Sequence, residues 1–134
     1  MTINSLETEW CLLQQQFDSY ERYSLLIKLL NVVLLSVAIL FSKLTFVELV
    51  FISILWLQDA IWKTFQARIE ARLLFIEQQI EHQEQQLAFQ FNRQWAATRS
   101  NTFGLMIEYL GQAIRPTVAF PHAILWLISL LCLV

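Results

Sequence analysis

The stretches Leu29–Phe41 (LLNVVLLSVAILF) and Leu44–Leu57 (LTFVELVFISILWL) stand back to back around Ser42 and Lys43, and their reading decides the fold. Neither contains Gly or Pro, and Glu48 is the only ionisable residue in either. Extended outward to Leu25–Ser42 and Leu44–Trp62, each approaches the ~20 apolar residues that a helix needs to cross a bilayer. A two-residue polar turn admits only an antiparallel neighbour, so the pair predicts a transmembrane helical hairpin. Lys28 is placed to snorkel, and Trp56 and Trp62 suit the membrane interface.

A third apolar run, Thr117–Val134, follows at the C-terminus, and the composition agrees with lipid as the solvent: 57% of residues are hydrophobic and only 15% charged. A net charge of -2 leaves no clustered cation to displace counterions, which argues against nucleic acid as a partner. Three spans and their connections use nearly the whole chain as a single membrane domain, without room for a catalytic one. Asn4–Tyr23 places Glu7, Glu9, Asp18 and Glu21 ahead of any apolar stretch, so no cleavable signal is expected and the first span acts as an uncleaved anchor.

Working outward toward the N-terminus, residues 1–24 read as an amphipathic helix that runs into the first span. Asn4 and Glu7 resemble a capping box, and Leu6, Trp10, Leu13, Phe17 and Tyr20 recur at alternating steps of four and three. Downstream of the hairpin, residues 59–115 read as a cytoplasmic helical segment. No Gly or Pro interrupts Asp59–Thr98, and Ile69, Leu73, Ile76, Ile80, Gln83 and Leu87 keep a four-three rhythm suited to a helical partner. That stripe has two covers open to it, another subunit or the Leu6–Tyr20 stripe of the same chain; the latter reaches only the first half of Asp59–Thr98, so Ile80–Trp95 calls for the Phe103–Ile114 helix or a neighbouring protomer. A straight helix over Asp59–Thr98 would reach about 60 Å from the membrane, and the return segment is too short for that. The rod must therefore break, tilt steeply or lie along the interface, with Gln78–Gln86 and Arg93–Arg99 as candidate sites for a break.

Ser100 or Asn101 is expected to cap a short helix whose Phe103, Met106, Ile107, Leu110 and Ile114 share one side. Pro116 fits the first turn of the third span, residues 116–134, and Pro121 inside it predicts a kink. The expected fold is thus all-α: an integral membrane protein with an N-terminal amphipathic helix, a transmembrane hairpin, a long cytoplasmic helix and a kinked C-terminal span. Arg22, Lys28, Lys63, Arg68, Arg72, Arg99 and Arg115 collect on one side and Lys43 alone on the other. This places the N-terminus and the middle segment in the cytoplasm and Val134 at the opposite face of an inner or plasma membrane.

Few residues offer chemistry. Lys28 lies fifteen residues before the Lys43 turn and Asp59 sixteen after it, at similar depth, so they either pair or each reaches for water. Glu48 faces a polar path or sits at the outer interface. Asn31 and His122 fall on the same half of the membrane and are placed for a contact that locks the third helix to the hairpin. Cys11 and Cys132 are expected as free thiols, since a bridge would join different depths. No metal-ligand spacing, nucleophile constellation or phosphate loop occurs, so neither a cofactor nor an enzymatic activity is expected.

A Gln-rich helix followed by Arg115-Pro116 and an apolar helix resembles small phage holin-type membrane proteins; the likeness covers a minority of the chain and carries no residue over. The sequence leads first to a non-enzymatic subunit or scaffold whose partners are the bilayer and a second copy or another membrane protein. An oligomeric pore lined by Glu48, Asn31 and His122 is the alternative.

Overall fold

The computed structural model describes residues 2–41, 45–82, 88–98 and 101–133, and every regular element among them is an α-helix. The expected turn at Ser42 and Lys43 lies outside these residues, as do Gln83 and Leu87 of the four-three stripe. The order is α1 (Thr2–Leu40), α2 (Phe46–His82), α3 (Phe91–Thr98), α4 (Thr102–Ile114) and α5 (Pro116–Leu133).

α1 joins the amphipathic segment and the first apolar run in one helix of 39 residues, about 58 Å long. It already begins at Thr2, ahead of the Asn4 at which the sequence places the start. α2 is equally continuous, carrying the second apolar run and the start of the Gln-rich rod through 37 residues. The two are antiparallel, as their cross-links record: Glu9 meets Arg72, Glu21 meets Lys63 and Ser24 meets Asp59.

Two kinds of surface follow along this hairpin. In the half away from the turn, Leu6 and Leu13 of α1 bury against Ile69, Leu73 and Ile76 of α2, with Trp10, Phe17, Tyr20, Ile80, Ala88 and Phe91 packed around them. In the half nearer the turn the outer faces are apolar: Leu25, Leu29, Val33 and Val37 of α1 and Phe46, Val50 and Ile54 of α2 are all exposed. Between the halves Tyr20, Tyr23, Trp62 and Phe65 gather, with ring centroids 5.1 Å apart for Tyr20 and Trp62 and 5.5 Å for Tyr23 and Trp62.

Two helices, α1 and α5, are long and apolar enough to cross a membrane. α2 falls short of that measure, because Glu48, Asp59 and Lys63 all fall within its first eighteen residues. α5 runs as one helix with Pro121 inside it, so proline's missing amide does not end the element.

α2 is described as far as His82; residues 83–87, which belong to the first of the two segments expected to break, lie outside the described residues, and the next helix begins at Phe91. Phe89 there takes a φ of 60°, a left-handed conformation unusual for a residue with a side chain. Asn101 caps α4, its side chain accepting from the Gly104 amide at 2.9 Å. Asn101→Ala should lower thermal stability in detergent by about 1 kcal/mol, the usual worth of such a cap; an unchanged melting curve would show that neighbouring helices alone hold α4.

Candidate functional site

The least expected interior for helices with such apolar outer faces is a polar one. Ser24 and Asn31 of α1, Asp59 and Thr64 of α2, and His122 and Ser129 of α5 are all fully buried. Thr64 is satisfied by its own helix, donating to the Ala60 carbonyl. Four of the others converge on one network.

Asp59 is its centre. One carboxylate oxygen accepts from the Ser24 hydroxyl, and the other lies 3.2 Å from His122 Nε2 and 3.5 Å from Lys28 Nζ. On its far side His122 Nδ1 lies 2.8 Å from the Asn31 side-chain nitrogen. With the Asn31 amide group donating to Nδ1, the imidazole carries its proton on Nε2 and donates to Asp59. Lys28, whose side chain is 20% exposed, supplies the positive charge that a buried carboxylate needs. Trp56 covers the imidazole, its ring 6.3 Å away and nearly parallel, and its indole N–H donates to the Ala113 carbonyl at 3.0 Å.

Helical spacing explains the assembly. Ser24, Lys28 and Asn31 are four and three residues apart and so share one face of α1, and that face meets Asp59 across the hairpin. His122 sits six residues beyond Pro116, the first residue of α5. Of the residues singled out in the sequence, Lys28, Asn31, Asp59 and His122 thus meet in one place. Glu48 does not join them: it lies half-buried near the start of α2 and accepts from Thr45 at 3.2 Å.

Ile69, Leu73 and Ile76 of the expected partner-binding stripe are taken up by Leu6 and Leu13 of the same chain, so a partner could reach them only by displacing α1. Ile80 packs at the edge of that core.

The chain matches no family model, no curated protein and no solved structure. The site must therefore be judged by its chemistry. Ser, Asp and His are present, yet the hydroxyl and the imidazole each meet a different oxygen of Asp59, so their order is not the Ser–His–Asp order in which the imidazole faces the nucleophile. Complete burial also denies a substrate access to Asp59 and His122. Among the described residues no three His, Cys, Asp or Glu side chains come together as metal ligands. The network can hold α1, α2 and α5 in register, because each member satisfies another that would otherwise be unpaired in an apolar medium.

A second polar network is not among the residues the sequence singled out. Arg72 donates through Nε and Nη2 to both carboxylate oxygens of Glu9, at 2.9 and 3.1 Å, and through Nη1 to Gln94 of α3 at 2.9 Å. Glu9 also accepts from the Phe89 amide. The signal lay in register: Leu6, Glu9 and Leu13 share a face, as do Ile69, Arg72 and Ile76, so each charge sits inside an apolar stripe. Nearer the aromatic cluster, hydrogen bonds from Lys63 and Gln66 reach Glu21, both at 2.7 Å, and hold its carboxyl below the usual carboxylate range.

Proposed function

We propose that the chain is a non-enzymatic, three-span membrane protein acting as a subunit or scaffold, with its helical module on the cytoplasmic side of an inner or plasma membrane. The observation that carries this reading is the inverted half of the hairpin, where a charged network is enclosed and large apolar side chains face outward. In water that arrangement is unfavourable on both counts; in lipid it is the stable one. Only 22% of the most apolar stretch of α1 and 17% of that of α5 is covered within the molecule, which is little for the core helices of a water-soluble fold.

The antiparallel geometry of the hairpin supports a third span. If α1 crosses, its antiparallel partner α2 must return, and the Lys28–Asp59 pair supplies the neutralisation that its apolar stretch lacks alone. The Tyr20, Tyr23, Trp62 and Phe65 cluster with the Glu21–Lys63 pair supports a membrane boundary at this level, since aromatic belts lie at such boundaries. A partner helix would meet the helical module at exposed apolar side chains such as Leu12 of α1 or Leu74 of α2.

Two free and exposed thiols test the topology. In sealed cells a membrane-impermeant maleimide should label Cys132 and reach Cys11 only after permeabilisation. Equal labelling of both before permeabilisation overturns the three-span arrangement. Native mass measurement of the detergent-extracted protein should then show a multiple of the chain or a co-purifying chain, and a bare monomer overturns the subunit reading. The pore alternative draws less support, since Asn31 and His122 face each other within one chain. Glu48→Gln should therefore leave ion leakage unchanged.

A further inference from the structure

In α4 the two faces are disposed the wrong way round for a helix bathed in water. Its inner side carries Glu108, which meets Arg68 of α2 at 3.1 Å, and Gln112, which is buried; the backbone carbonyl of Ala113 accepts from Trp56. Its outer side carries Phe103, Met106, Ile107, Leu110 and Ile114, all between 56% and 75% exposed. An amphipathic helix on a soluble module buries its apolar stripe and shows its polar one.

The structure assigns to this stripe a lipid surface: α4 is an interfacial helix whose apolar face lies among the acyl chains of the leaflet on the module's side. This inference rests on the membrane reading above and extends it to an element that reading leaves in water. Three observations select lipid over a second copy of the chain. First, the stripe is continuous with a lipid-facing surface, for only Arg115 separates Ile114 from α5, whose Phe120, Ile124 and Leu127 are likewise exposed. Second, α4 is held to α2 between Trp56 and Arg68, the interval containing the aromatic belt residues Trp62 and Phe65, and so sits at the boundary and not out along the rod. Third, an exposed Arg115 follows the helix and suits the phosphates of the interface. A helix of 13 residues is too short to cross but long enough to lie in the boundary.

Site-directed spin labelling tests it. Cys11 and Cys132 are replaced with Ser, and single Cys residues are introduced at Ile107 or Phe103 on α4, at Leu127 on α5 and at Gln15 on the exposed side of α1. Each protein is reconstituted in vesicles of phosphatidylcholine with phosphatidylglycerol. Collision with oxygen, which concentrates in lipid, relative to a water-soluble nickel chelate should be several-fold higher at Ile107 and Phe103 than at Gln15 and should resemble that at Leu127. Labels on α4 that behave like Gln15 overturn the inference while Leu127 upholds the membrane reading. Protection from both reagents with dipolar broadening between labels means a second copy covers the stripe, and also overturns it. A Leu127 label that contacts only the nickel chelate overturns the membrane reading itself.

Discussion

Arg72→Met should destabilise the protein by about 3–5 kcal/mol, because it strands the Glu9 carboxylate in the core without its counter-charge. Glu9 and Arg72 side chains are only 4% and 5% exposed, so water cannot replace the lost partner without opening α1 from α2. The mirror variant, Glu9→Gln, removes the same charge pair from the other side and leaves the guanidinium stranded. The double variant should recover much of the loss, since two neutral side chains of similar shape bury without an unpaired charge. Chemical denaturation in detergent, arranged as a double-mutant cycle, measures this. Additive single effects would mean that the two residues act independently and that the bidentate contact contributes nothing of its own. The loss should also be local, because Arg72 donates to Gln94 and Glu9 accepts from the Phe89 amide. Amide exchange across Phe91–Thr98 should accelerate more than that of α5, since the hydrogen bonds of Glu9 and Arg72 beyond their own pair run to Phe89 and Gln94.

That network explains why the hairpin was legible in the sequence and the path of the chain after it was not. The hairpin announces itself through the short polar interval between two apolar runs, and counting outward from Lys43 is enough to set Lys28 level with Asp59. Asn31 and His122 stand out because polar side chains in apolar runs are few. The path after His82 has no such mark: neither Gly nor Pro stands between Asp59 and Thr98, and Phe89 is held by a tertiary contact, its amide donating to a carboxylate eighty residues earlier. Glu9 and Arg72 were invisible for a related reason, since a stripe is read from its apolar members and a charge lying between them is assigned to solvent. α4 shows a further limit. Periodicity identified Phe103, Met106, Ile107, Leu110 and Ile114 as one side of a helix, but a stripe alone does not say whether protein or lipid covers it.

Asp59→Leu is the second substitution expected to cost about 3–5 kcal/mol, and its consequences separate packing from insertion. The carboxylate serves Ser24, His122 and Lys28 at once, so an aliphatic side chain leaves a hydroxyl, an imidazole N–H and an ammonium group unsatisfied among apolar side chains. Asp59→Asn should cost less. Its carbonyl can still accept from Ser24, and its amide can donate to His122 Nε2 if the imidazole proton moves to Nδ1. That shift requires the Asn31 side chain to turn and present its oxygen, an atom now buried without a hydrogen-bond partner, so the network holds an acceptor for the alternative tautomer. Asn31→Leu should remove this adaptability and make the loss from Asp59→Asn larger than in the parent background. Lys28→Met combined with Asp59→Asn should be milder than the summed single effects, since both charges leave the interior together. Thermal unfolding in detergent orders the series, and maleimide labelling of Cys132 in sealed cells should stay unchanged throughout. In the proposed three-span arrangement that separation follows from the placement of the charges: an aliphatic residue at 59 would favour insertion of α2 while depriving α1 and α5 of their common partner. An Asp59→Leu protein as stable as the parent would mean that water already solvates the carboxylate and that the three helices are held by their apolar contacts alone.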